Sequence, residues 1–388
     1  MQIPSNMFLS RISRPSLYLP MCMIVWGFLS LLTGCANNFT QVLLTRVILG
    51  IVEASFFPGA VFLISRWYKH DELGMRTAIL VCGVIFSNAF GALLASAILD
   101  SMQGVLGFAA WRWLFFVEGT TTIIVATSAV YILPDFPETT RPGWLTEEEV
   151  RLAVRRMQEN ADMSEDYGVD TKGISDGFWL AISDPNTWIL TMTQFFLTLS
   201  GGFTDWFPTI MSTLGYNPTI TLLLCAPPYL LTTVITFIAA RHSDMTRERC
   251  KHITVPLWIT LIGLLIAMST MSTTARYFSF SLLTVSYTGC AIFLGWQSNI
   301  FPSPPVKRAV ALAFINAVSN VGNIFGSYIW QPSWAPTYRA SLAICAISTC
   351  AAIASVHYVK RRLVKMNNTL HQAELDKGES TVGFRYLT

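Results

Sequence analysis

Charge is what this chain has least of. Asp, Glu, Lys and Arg make up 13% of its 388 residues, against 52% hydrophobic residues and a mean hydropathy of +0.48. A soluble domain carries about 25% charged residues, so the shortage argues against one. Other absences narrow the function. The eight cysteines are scattered through apolar runs, with no CxxC and no Cys/His ligand spacing. They read as small buried hydrophobes, with no zinc site and no disulfide framework. No GxxxxGK[ST] loop occurs, which leaves ATP-driven transport without support. The five histidines fall in loops, membrane edges or the tail, without a nucleophile arrangement, so no enzyme activity or cofactor is expected. Alternation of apolar and polar residues is also missing, and an open sheet cannot cross lipid, which excludes strands as the spanning element.

What is there is a series of apolar runs, each near the roughly 20 residues that a helix needs to cross a bilayer. They lie at 17–36, 40–65, 77–99, 112–133, 185–212, 219–240, 253–271, 277–300, 309–330 and 338–358, ten spans in all. The expected fold is therefore an all-α polytopic membrane protein. Of the 26 basic residues, 22 fall on alternate connections, and the loops between are short and nearly uncharged. By the positive-inside rule the basic connections and both termini are cytoplasmic. One connection is long. Residues 134–184 contain WLTEEEVRLAVRRMQEN, in which Thr146 and Glu149 have capping-box spacing ahead of a weakly apolar Leu152, Val154 and Met157 side. The chain thus divides into a four-span segment at 1–133, a central cytoplasmic loop with an amphipathic helix at 134–184, a six-span segment at 185–358 and a cytoplasmic tail at 359–388.

The second span holds the two full charges of Arg46–Gly59, RVILGIVEASFFPG. Arg46 and Glu53 are seven residues apart, two helical turns, so they share one helix face with about 10 Å of rise between them. A charge in hydrocarbon costs several kcal/mol unless it faces protein or water. Two readings stand: a structural ion pair, or an anion-binding arginine beside a proton-carrying carboxyl. Other polar positions in apolar runs have two readings each. Ser87 and Asn88, beside Gly83 and Gly91, either touch a ligand or pack. Asn316, Asn320 and Asn323, spaced i, i+4 and i+7, line a cavity or bond a neighbouring helix. Gly322 and Gly326 form a small-xxx-small pair suited to close helix contact.

Several stretches together resemble the major facilitator superfamily, in particular its anion:cation symporter group and the fungal allantoate, pantothenate and nicotinate permease-like branch. They are RxxxGxxEAxFFPG at Arg46–Gly59, WYKxxELxxR at Trp67–Arg76, WRWLFFVEG at Trp111–Gly119, LPDFP at Leu133–Pro137, WLTEEE at Trp144–Glu149, APPY at Ala226–Tyr229 and KRAVALAFINAVSNVGNIFGSY at Lys307–Tyr328. The resemblance implies a helical bundle of two six-span halves, of which this chain would lack the first two spans. It implies proton-coupled symport of a small organic anion across the plasma membrane, by a monomer with no nucleic-acid partner. Arg46 would grip the substrate carboxylate and Glu53 would carry the proton. Ser87, Asn88, Asn316 and Asn320 are the further substrate-binding candidates. In RHSDMTRER, Asp244 with Arg247 and Arg249 would latch neighbouring helix ends in one conformation; a solvated basic loop is the plainer alternative. The rival functions are a non-transporting fragment and a nutrient receptor on a transporter scaffold.

Overall fold

The computed structural model describes every residue except 1–4, 6–8, 10–11, 13, 69–71, 138, 140–144, 166–173, 302–304 and 378–384. Lys69, Trp144, Arg141 and Lys172 of the motifs and basic clusters above lie outside the described residues. The described residues form helices joined by short turns, with no extended strand among them. In chain order the α-helices are α1 (Pro15–Gly34), α2 (Phe39–Glu53), α3 (Phe56–Trp67), α4 (Leu73–Ser101), α5 (Ala110–Ile132), α6 (Glu147–Glu165), α7 (Ile174–Ser183), α8 (Pro185–Ser200), α9 (Phe207–Ser212), α10 (Pro218–Thr246), α11 (Cys250–Ser269), α12 (Thr273–Thr284), α13 (Ser286–Ile300), α14 (Pro305–Ser319), α15 (Val321–Ile329) and α16 (Arg339–Lys377). Among the described residues nine helical stretches are long and apolar enough to cross a membrane. Of the ten runs expected, the one at 185–212 is the exception. It is divided into α8, a 3-10 turn at Gly201–Phe203 and α9, so no single helix there reaches spanning length. Pro208, early in α9, has no N–H to offer and suits a helix start better than a helix interior.

Two compact units divide the chain: Met1–Leu73 with Leu93–Ile174, and Gly74–Ala92 with Ser175–Thr388. Most of α4 thus clusters with the carboxy-terminal residues.

In the first unit α1 packs on α5 through glycine. A Cβ on Gly119 would stand 2.8 Å from the Gly27 carbonyl oxygen, and one on Gly27 would stand 3.0 Å from that of Gly119. Small residues let two backbones approach where hydrocarbon gives no hydrophobic drive. Asp135 of LPDFP ties the ends together: its carboxylate accepts from the Ser16 N–H at 3.1 Å near the start of α1, and its carbonyl accepts from the Trp67 indole at 3.1 Å. The amphipathic helix expected in the central loop is α6. Its capping box is formed, with Thr146 N–H donating to Glu149 Oε2 at 2.8 Å and Glu149 N–H donating to Thr146 Oγ1 at 3.3 Å. The Thr146 N–H and the Thr146 hydroxyl, which donates to the same carboxylate oxygen at 2.9 Å, hold the Glu149 carboxyl below the usual carboxylate range. Arg156 anchors α6 to Glu72 at 2.9 Å.

In the second unit the core runs through Leu197, Ile253, Leu257, Phe293, Trp296, Ile315, Ala352 and Val356. Its buried hydroxyls pair across helices: Thr232 with Thr284 at 2.7 Å, Thr236 with Thr288 at 2.8 Å and Ser200 with Thr349 at 2.6 Å. Gly322 and Gly326 do serve close packing: their Cβ atoms would meet the Phe195 carbonyl at 3.2 Å and Gly202 Cα at 3.7 Å. The asparagine row does not lie on one continuous helix. Asn320 sits at the break between α14 and α15. At 39 residues, α16 runs about 58 Å at 1.5 Å per residue, so the last span and the first part of the expected tail, to Lys377, share one helix.

Candidate functional site

The Arg46–Gly59 stretch is two helices. Pro58 has no N–H to give to the Ala54 carbonyl, and its ring crowds that carbonyl. The helix accordingly breaks at Ala54–Ser55, leaving Glu53 as the last residue of α2. Gly59 then fits against α1, where a Cβ would come within 2.7 Å of Leu19. At its other end α2 is capped by Asn38, whose side chain accepts from the Gln41 N–H at 2.9 Å. The motif's proline and glycine thereby fix where the two charges sit.

Both charges are exposed, on a helix that buries none of its residues. Among the described residues neither has an ion pair within 4 Å, so Arg46 and Glu53 do not form the structural pair weighed from the spacing. The Arg46 guanidinium instead lies over the Phe115 ring, 5.0 Å from its centroid, and its charge acts on Glu118, one turn further along α5. Glu118 is a residue the spacing argument passed over. The signal was present, a single acid inside the apolar run 112–133, but it was absorbed into the WRWLFFVEG motif. Arg112 of the same motif is spent on structure: its Nη2 donates to the Ala36 carbonyl at 3.1 Å and to Asn37 Oδ1 at 2.8 Å.

Within the second unit, Asn88 Nδ2 donates to the Tyr287 hydroxyl at 3.3 Å. Asn88 is 15 residues into α4, and Tyr287 is 14 residues beyond Thr273. Both are therefore about 21–22 Å into their spans at 1.5 Å per residue. The Thr204 side chain lies beside the Tyr287 hydroxyl; the Tyr287 ring lies 6.2 Å from that of Tyr229, and Phe207 lies 5.2 Å from Tyr229. Beside Thr204, the exposed Asp205 acts electrostatically on both tyrosines and has no hydrogen-bond or ion-pair partner among the described residues. Asp205 was also missed, although it stands inside the apolar run 185–212. Ser87 turns back to its own helix, donating to the Val84 carbonyl at 2.7 Å. Asn316 is half-buried and its carbonyl accepts from the Asn320 N–H at 3.2 Å; exposed Asn320 accepts from Asn323 Nδ2 at 3.3 Å.

At the end of α10, Arg249 Nη2 meets Asp244 Oδ1 at 2.5 Å, and Arg249 Nη1 donates to Ser243 Oγ at 3.2 Å. A Cβ on Gly74 would stand 2.6 Å from that Asp244 oxygen, so α4 begins against the pair. Arg247 is exposed and in the left-handed region, with φ 54°, where it ends α10. The structure thus brings Asp244 and Arg249 together and leaves the Arg247 side chain outward.

Many apolar spanning helices, one of them carrying Arg46 and Glu53 without an ion pair among the described residues, define an integral membrane protein. Residues 1–327 match the Major Facilitator Superfamily. The chain belongs to that family, and it is a membrane transporter by that membership. It is 30% identical to "MFS-type transporter cnsO" of Penicillium expansum, over 97% of this chain and 75% of that one. It is 28% identical to a "Putative tartrate transporter" of Agrobacterium vitis, over 84% of this chain and 70% of that one. The fold is similar to that of the proton:xylose symporter XylE, with TM-score 0.67, 17% identity and coverage of 90% and 80% of the two chains.

Proposed function

We propose that this transporter is a secondary symporter of the anion:cation group, coupling proton entry to uptake of a small organic carboxylate across the plasma membrane. The observation that carries the reading is Arg46: a guanidinium within a membrane span, seated on Phe115, with no carboxylate within ion-pair distance among the described residues. An intramembrane cation so placed is costly unless a ligand or water answers it, and a planar fork suits a carboxylate. The tartrate transporters among the relatives carry an anion by name, which supports the same class. Glu53, seven residues on and equally exposed, is the proton carrier in this reading, with Glu118 the acid within reach of the Arg46 charge. Ser87, Asn88, Asn316 and Asn320 supply polar contacts, and Asp244 with Arg249 holds one conformation closed. The basic loops and both termini face the cytoplasm.

The test is uptake of a panel of labelled organic acids into cells expressing the chain, with and without a protonophore. Accumulation of carboxylates that collapses with the proton gradient supports the proposal. Binding without accumulation favours a receptor, and accumulation of neutral solutes alone overturns it. Labelling of introduced cysteines in 134–184 from outside intact cells would overturn the sidedness.

A further inference from the structure

The last described residues, Arg385–Thr388, lie folded back against the second unit and are held there mostly by their backbone. The Asn367 side-chain amide reads both polar groups of Tyr386: Nδ2 donates to its carbonyl at 2.9 Å and Oδ1 accepts from its N–H at 2.9 Å. The Trp296 indole donates to the Leu387 carbonyl at 2.8 Å. The Arg249 N–H donates to the Thr388 oxygen at 3.0 Å. Tyr386 and Leu387 pack on the core that contains fully buried Trp296, and Arg385 pairs with Glu374 of α16, Nη1 to Oε1 at 2.7 Å. The donors and acceptors come from three separate places: the residue before α11, the end of α13 and the far end of α16.

We propose that Arg249, Trp296 and Asn367 form a peptide-binding site that takes an extended backbone carrying a basic, an aromatic and an aliphatic residue in succession, and that Arg385–Thr388 occupies it in cis as a strap. Four hydrogen bonds go to main-chain atoms, the mode by which proteins capture extended peptides. The Glu374 pair and the apolar core select the side chains. Occupancy ties together three helix ends. It also fixes the backbone of Arg249, whose side chain holds Asp244, so strap and ion pair act on one residue. The tether makes occupancy intramolecular, at an effective concentration on the order of millimolar. A free peptide therefore competes poorly until the strap is displaced.

The experiment uses the full-length protein in detergent and a fluorescent Arg-Tyr-Leu-Thr peptide. In the parent, the Tyr386 amide should exchange at least roughly tenfold slower than an unstructured amide, the protection a closed hydrogen bond gives, and the peptide should not bind. Leu387→Asp should remove that protection and create saturable peptide binding. Adding Asn367→Ala to Leu387→Asp should abolish the binding while leaving the melting temperature close to that of Leu387→Asp alone. Trp296→Phe should weaken it in parallel, but its burial can compromise folding, so Asn367→Ala carries the test. Random-coil exchange at Tyr386 in the parent overturns the proposal, as does failure of the folded Leu387→Asp protein to bind the peptide. None of these readouts requires transport, so they stand apart from the symport reading.

Discussion

Arg46 permits a graded test of whether it binds a carboxylate. The perturbations are Phe115→Leu, Arg46→Lys and Arg46→Ala. Phe115 supports the guanidinium through its ring face at 5.0 Å. Such a contact is worth about 0.5–1 kcal/mol at an exposed site, so its loss should weaken substrate binding about 2–5-fold. Arg46→Lys keeps the charge but loses the planar fork and the stacking. Forfeiting one charged hydrogen bond costs about 1.5–3 kcal/mol, which is about 10–150-fold in affinity. Arg46→Ala removes charge and fork together and should abolish measurable binding. The assay is equilibrium binding of a labelled organic acid to purified protein, with surface expression and melting temperature measured alongside. Because neither Arg46 nor Glu53 has an ion pair within 4 Å among the described residues, folding should change little across the series. The reasoning is refuted if folded Arg46→Lys binds as tightly as the parent, or if all three variants simply lose folded protein.

Glu53→Gln should abolish proton-driven accumulation yet preserve counterflow exchange, and uptake at several external pH values would sink the role if the profile is unchanged. Glu118→Gln should alter affinity for the anion, because it removes a negative charge that Arg46 feels; an identical Kd would separate the two groups. Gly119→Ala places a methyl 2.8 Å from the Gly27 carbonyl and should cost about 1–3 kcal/mol by overpacking, read as a lowered melting temperature with unchanged folding of Gly50→Ala, whose Cβ meets nothing within 4 Å. Glu149 titrates below the usual carboxylate range, so its capping contribution is complete above the unfolded value and fades as pH falls through the lower folded value. Amide exchange at the start of α6, corrected for intrinsic rates, should speed up in that acid window, and Glu149→Gln should flatten the response.

How far the sequence could be read depended on whether a signal was carried by the run itself or by a partner elsewhere. Apolar length gave nine of the spanning stretches directly, because hydrocarbon thickness sets it. The Thr146–Glu149 box was legible because both partners lie within four residues. The break after Glu53 was legible in part: Pro58 is visible in the motif and removes the bond to the Ala54 carbonyl, but the contact of Gly59 with Leu19 on another helix is not. Asn88 with Tyr287, and Arg46 with Phe115, were not legible, since their partners are 199 and 69 residues away in sequence. Glu118 and Asp205 were visible single acids in apolar runs. Spacing along one helix, which singles out Arg46 and Glu53, says nothing about the acids of the next.

Polar groups in this chain fall into two kinds, and the difference argues for where work is done. Thr232, Thr236, Ser200 and Gln194 are buried and bonded across helices to Thr284, Thr288, Thr349 and Gln297. In a medium without water each such bond satisfies a group that would otherwise cost stability, so these residues hold the helices in register. Arg46 and Glu53, within a span, and Asp205, in the turn ahead of α9, are exposed and have no ion pair among the described residues. Selection for stability alone would favour apolar residues there, because replacing an ion in a low-dielectric site by a hydrophobe is often neutral or better. Under the proposed symport reading, something that arrives and leaves answers them: a carboxylate for the cation and a proton for the acids. Substituting a paired hydroxyl, such as Thr236→Val, should lower the melting temperature and leave the pH dependence of uptake intact. Substituting an unpaired acid should do the reverse. If Thr236→Val shifts the pH profile while Glu53→Gln only destabilises the fold, the division between holding and working groups is wrong.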